Sequence, residues 1–132
     1  MSQERVRWIP APEIASFYDE ESLSFHDKTL SMIFYNDEKK KISVTFNQSV
    51  IAYAATDEMF RMAATDDLWV QNKELQYTTG WTFYKVINSS YIKALSTQLP
   101  AWTHYAFHTQ NTVIDVIADQ DPIIEHLKDL HV

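Results

Sequence analysis

Cysteine is absent from the 132 residues, and glycine occurs once, as Gly80. The first absence excludes a disulfide scaffold, a thiolate metal site and a cysteine nucleophile. It also fits a reducing compartment. The second excludes nucleotide chemistry of the common kinds. Average usage would supply about nine glycines in a chain this long. Phosphate-cradling loops need several, so that backbone amides can approach the anion. Long apolar runs are missing too. No window approaches the roughly 18 apolar residues of a membrane span, and MSQERVRWIPAPEIASF lacks the apolar stretch of a signal peptide. The expected compartment is the cytoplasm, with no membrane partner.

Positive charge is scarce: 11 Lys and Arg face 18 Asp and Glu, for a net charge of −7. The first 27 and the last 24 residues each carry −4, whereas residues 28–41 and 80–108 each carry +2. No basic patch could neutralise a run of phosphates, which argues against nucleic acid. An acidic surface steers a cationic partner, although moderate negative charge also keeps any small protein soluble.

What is abundant is aromatic. The chain holds 4 Trp, 7 Tyr and 7 Phe, with 45% hydrophobic residues overall. A few buried rings go far in a small core. The length fits a single domain over residues 1–132.

The pattern predicts an α+β fold: an antiparallel β meander with two or three short helices. Residues 1–21 read as an irregular or weakly helical lead-in broken by Pro10 and Pro12. Strands are expected at 22–27, 29–35, 41–46 and 50–54. In the third, Ile42, Val44 and Phe46 alternate with Ser43 and Thr45 and so share the buried face. Thr56-Asp57-Glu58 looks able to cap a helix over MFRMAA, and Leu68-Trp69-Val70 is ambiguous. Residues 81–87 read as a strand. A helix over about 90–98 follows, capped by Asn88 or Ser89 and ended by Pro100. Strands at 103–109 and 112–118, joined by Gln110-Asn111, complete the sheet. PIIEHLKDL, from Pro122, reads as a terminal helix.

Chemistry-bearing patterns are few. His104 and His108 are four apart. On a strand that spacing separates them by about 13 Å, too far to share one ion. His126 and His131 lie on different faces of the expected helix, so no metal or other cofactor is anticipated. His26 neighbours Asp27, a common and unspecific pairing. The paired acids Asp66-Asp67, Asp57-Glu58 and Glu20-Glu21 read as solvated charges. No G-x-S-x-G elbow is present. Asn47-Gln48-Ser49 and Asn88-Ser89-Ser90 match the glycosylation sequon by chance in a chain without a secretory signal.

Residues 81–122 resemble a group of small intracellular bacterial proteins that includes immunity proteins of toxin–immunity systems. The likeness lies in Tyr91-Ile92-Lys93 after Asn88-Ser89-Ser90, then Ser96 to Gln98, His104-Tyr105, Ile114-Asp115-Val116-Ile117 and Pro122. Phe46, Tyr53-Ala54 and Asp57-Glu58 add to it from the first half. The resemblance implies a non-enzymatic binder of a toxin domain and gives no single residue a role.

The leading expectation is therefore a protein-binding module with a cationic protein partner. Asp19, Glu20, Asp119 and Asp121 are the acids expected at its interface, with Trp69 and Trp102 as aromatic anchors. The runner-up is a small-ligand-binding or minimal enzymatic domain with a pocket over the sheet, using His26 or His104 with a nearby carboxylate. A third reading is a subunit whose surplus aromatics form a homo-oligomer interface.

Overall fold

The computed structural model describes residues 3–57, 81–96, 98, 101–110 and 112–127. Within them the chain forms β1 (Glu4–Arg7), β2 (Asp19–His26), β3 (Thr29–Tyr35), β4 (Lys41–Phe46) and β5 (Val50–Asp57). After these come β6 (Phe83–Ile87), helix α1 (Ser90–Leu95), β7 (Thr103–His108), β8 (Thr112–Ala118) and β9 (Ile123–Leu127). The strands make two antiparallel sheets, ordered β1-β6-β7-β8-β5 and β2-β3-β4-β9.

Alternation does the sorting in the four-stranded sheet. Ile42, Val44 and Phe46 are fully buried on β4, as their spacing predicts. They lie opposite Phe34, Met32 and Leu30 of β3. The opposite face carries Ser43 and Thr45 beside Ser31 and Ile33. The inner faces of the two sheets meet in a layer of rings. Phe34 stacks on Phe107 at 5.7 Å, and Phe46 meets Tyr105 at 5.1 Å, edge to face. Each ring buried in this way is worth about 1.5–3 kcal/mol of hydrophobic transfer.

β7 and β8 depart from alternation. Every residue from His104 to His108 and from Val113 to Ala118 is buried. Tyr105, Phe107, Ile114 and Val116 face the core between the sheets. His104, Ala106, His108, Val113, Asp115 and Ile117 lie on the other face of the same sheet, and that face is covered as well. Strands buried on both sides lose the polar alternation of a solvated sheet.

The expected α+β fold is corrected. The chain is mostly β, with α1 the one helix among the described residues. PIIEHL is not helical: Ile123–Leu127 pairs antiparallel with Lys41–Thr45 of β4. Two reasons favour the strand. A helix this short is marginal in water, and β4 would otherwise leave a row of backbone groups unpaired. Ile124 packs against the core from β9. The lead-in also holds a strand, β1, paired with β6 from Glu4↔Ile87 to Arg7↔Tyr84. Thr56 and Asp57 form the end of β5. The MFRMAA helix expected after them and Leu68–Val70 lie outside the described residues. No helix of the described residues is long and apolar enough to cross a membrane.

With so little glycine, other residues take the left-handed backbone positions. Asp27 (φ 49°) and Lys28 (φ 62°) make the two-residue β2–β3 turn, and Asn88 (φ 55°) turns the chain from β6 into α1. Type I′ turns need positive φ at both central residues, at a cost of roughly 1–2 kcal/mol for a residue with a Cβ. At the β3–β4 turn the side chain helps: Asn36 Oδ1 accepts the N–H groups of Glu38 and Lys40, each at 3.0 Å.

Candidate functional site

The anticipated interface residues fall at two ends of the sandwich. Asp19 and Glu20 begin β2, where Asp19 Oδ1 accepts the backbone N–H of Gln110 in the β7–β8 turn at 3.0 Å. Asp119 and Asp121 follow β8 at its other end, roughly 20 Å away by the rise of a strand of this length. The two acidic segments therefore do not build one continuous face. Asp121 is already engaged: it accepts a hydrogen bond from the Tyr105 hydroxyl and sits 3.7 Å from Lys85 Nζ. Lys85 in turn lies over the rings of Trp8 and Tyr105, 5.0 and 5.7 Å from their centroids. Trp102 is half-buried between α1 and β7. Trp69 lies outside the described residues.

Burial pushes the Tyr105 hydroxyl well above its usual range, and its bond to the Asp121 carboxylate raises it further. Burial also raises Tyr84, against the opposing pull of Arg7 and Arg5. A raised folded value means that the native state holds the proton more tightly than the unfolded chain. Their contribution to stability is full below about pH 10 and drains away as pH climbs toward the folded values. Stability is expected to fall above pH 10, and less steeply for Tyr105→Phe. Urea titrations at stepped alkaline pH check this; equal slopes for the two proteins would contradict it.

Among the described residues, β2 is an edge strand of eight residues, bonded to β3 on one side only. Its first residues are acidic, Asp19-Glu20-Glu21, and the register shifts between Glu20 and Ser22. Glu21 meets Lys41 Nζ at 2.9 Å across two half-exposed side chains. Further along, Phe25 is 43% exposed and leans on Tyr53 of β5, with ring centroids 4.9 Å apart. Charge and bulges are the usual guards of an open edge. Here both guards stand at the start of the strand, and Ser22–Phe25 carries neither.

The histidines separate sharply. His26 is exposed beside Asp27 at 3.1 Å, and His126 Nε2 reaches the Pro12 carbonyl at 2.7 Å. His104 and His108 share the outer face of β7, and His108 packs edge-on against Tyr84. His104 is the centre of a buried network. Its Nδ1 lies 2.6 Å from Ser89 Oγ and its Nε2 lies 2.7 Å from Asp115 Oδ1. Arg5 Nη1 stands 3.6 Å from that same carboxylate oxygen. Four elements meet here: β1, the β6–α1 turn, β7 and β8.

With a neutral imidazole, an ionised Asp115 that only accepts would put the ring hydrogen on Nε2 and make Nδ1 the acceptor. Ser89 then donates to Nδ1. It remains able to accept, and it takes the N–H of Ile92 at 3.1 Å as the N-cap of α1. Such an arrangement can fix four elements in register, and it can carry a proton from the hydroxyl to the imidazole. Among the described residues no three His, Asp or Glu side chains group to hold a metal. Comparison with known proteins adds nothing further: no family model, curated protein or solved structure matches this chain.

Proposed function

We propose that the chain is a protein-binding domain that takes up an extended, basic segment of a partner along the outer edge of β2. The carrying observation is the edge itself: eight residues with no strand neighbour on that side among the described residues, acidic at one end and apolar at the other. An added strand draws affinity from main-chain hydrogen bonds and specificity from alternate side chains. Asp19 and Glu20 select basic residues there, and Phe25 offers apolar contact. The resemblance to immunity-like proteins fits the same class of partner, a cationic toxin domain.

Nuclear magnetic resonance of the isotope-labelled protein tests this with a ten-residue peptide of alternating lysine and valine. The expected result is amide shifts concentrated in Asp19–His26, with affinity falling as salt shortens the screening length from about 10 Å toward about 3 Å. Asp19→Asn with Glu20→Gln should weaken binding several-fold at low salt. Absence of shifts in β2 with millimolar peptide overturns the reading. So do concentration-dependent β2 shifts without peptide, which would mean that two copies pair through this edge.

A further inference from the structure

We infer that Ser89 is an activated nucleophile that accepts an acyl group from a small ester. Its Oγ, the imidazole of His104 and the carboxylate of Asp115 lie in series, at 2.6 and 2.7 Å. This is the order that general-base activation of a hydroxyl requires. The residues come from separate parts of the chain, so the alignment is a product of the fold and not of local spacing.

A capping role alone does not account for the series. Capping α1 needs only an oxygen to receive the Ile92 N–H, and Asn, Asp or Thr would supply one. A base in contact with that oxygen, and a carboxylate in contact with the base, are surplus to the cap. Ser89 stands at the strand-to-helix corner, itself extended (φ −62°, ψ 121°) and just after Asn88 at φ 55°. The Tyr91 ring stands perpendicular to the imidazole at 5.8 Å, which limits rotation of His104. Arg5 holds the carboxylate from β1. Asp115 and Arg5 are thus positioning residues, and Ser89 and His104 are the catalytic ones. Ser89 keeps only 5% of its surface, so the acyl donor is a small ester and not a polymer.

The step balances as follows. Ser89 Oγ adds to the ester carbonyl carbon while its proton passes to His104 Nδ1, and Asp115 steadies the imidazolium through Nε2–H. The tetrahedral adduct collapses, the bond to the alcohol oxygen breaks, and His104 returns the proton to the departing alkoxide. Water then adds to the acyl-serine by the same route. It releases the carboxylic acid and restores the Ser89 hydroxyl.

A small alkyl fluorophosphonate, incubated with the full chain and read by intact-mass and peptide mass spectrometry, tests the inference without knowledge of the natural ester. One adduct is expected, on Ser89. His104→Gln should abolish it, and Asp115→Asn should slow it on the order of a hundredfold or more. Ser89→Asn keeps a capping side chain, and so separates loss of reactivity from loss of fold; it should stay folded by circular dichroism and take no label. Wild-type protein should also release p-nitrophenol from p-nitrophenyl acetate faster than Ser89→Asn does. No adduct on Ser89 in the folded protein overturns the inference. An adduct that forms equally fast in His104→Gln overturns it as well.

Discussion

Phe46→Ala is expected to cost about 3–5 kcal/mol, the range of large-to-small changes at a fully buried ring. Phe46 ends β4 with no exposed surface. It lies opposite Leu30 in the sheet and touches the rings of Tyr105 and Phe107 across the sandwich, at 5.1 and 6.2 Å. Tyr105 and Phe107 belong to the opposite sheet, and Phe107 is wedged in turn by Phe34 and Phe83. The site therefore cannot collapse to fill the void, and the cavity term adds to the lost transfer energy. Urea unfolding monitored by circular dichroism measures the loss. Phe25→Ala is the control: that ring is 43% exposed at the edge of the same core, and its removal should cost less than half as much. A loss under about 1 kcal/mol for Phe46→Ala would mean that β4 presents its other face inward, since a one-residue slip exchanges the two faces.

That prediction rests on a strand whose register was legible in the sequence. Strict alternation over 41–46 identifies the buried face without any tertiary information. β3 and β8 were equally plain in extent, as apolar and β-branched runs bounded by turn residues. β9 was not. The segment after Pro122 is short and carries Ile-Ile before Glu-His-Leu, a pattern that fits either period. What decides it is the unpaired edge of β4, a long-range fact with no local trace. β1 was hidden for a related reason: four residues shortly before Pro10 and Pro12 read as an irregular lead-in, yet they pair with β6 and bury Arg5 beside Asp115.

The buried network was only half legible. His104 and Ser89 were visible as a strand histidine and a helix cap, and the runner-up reading gave His104 a nearby carboxylate without saying which one. The missing step lay in the hairpin. The short connection between Thr109 and Thr112 puts Ala106 opposite Asp115 and leaves His104 diagonal to it on the same face, which is the pairing observed. Diagonal neighbours are within reach of long side chains. The acidic termini misled in the opposite sense. Charge counted along the chain suggested one face, whereas β8 holds its two acidic neighbourhoods at opposite ends.

Asp115→Ala is expected to be as damaging as Phe46→Ala, for a different reason. The carboxylate lies 2.7 Å from His104 Nε2 and faces Arg5 at 3.6 Å, with all three residues under 10% exposed. Removing one member of a buried charge pair typically costs about 3–5 kcal/mol, and here it also takes the acceptor away from His104 Nε2. In a chain of this size that corresponds to a fall in Tm on the order of 10–20 °C. Loss of Asp115 also frees the imidazole to rotate, which loosens its contact with Ser89 and so the start of α1. A double change separates the two effects. Arg5→Met with Asp115→Leu removes both charges and leaves apolar side chains of similar volume, an exchange that is often neutral in buried pairs. The double variant should therefore recover most of the stability lost in Asp115→Ala. The hydrogen-bonded path from Ser89 would still end at His104. If the double variant is as unstable as the single one, the stabilising element is the His104–Asp115 hydrogen bond and not the pairing with Arg5. If Asp115→Ala loses less than about 1 kcal/mol, the network does not lock the four elements together at all.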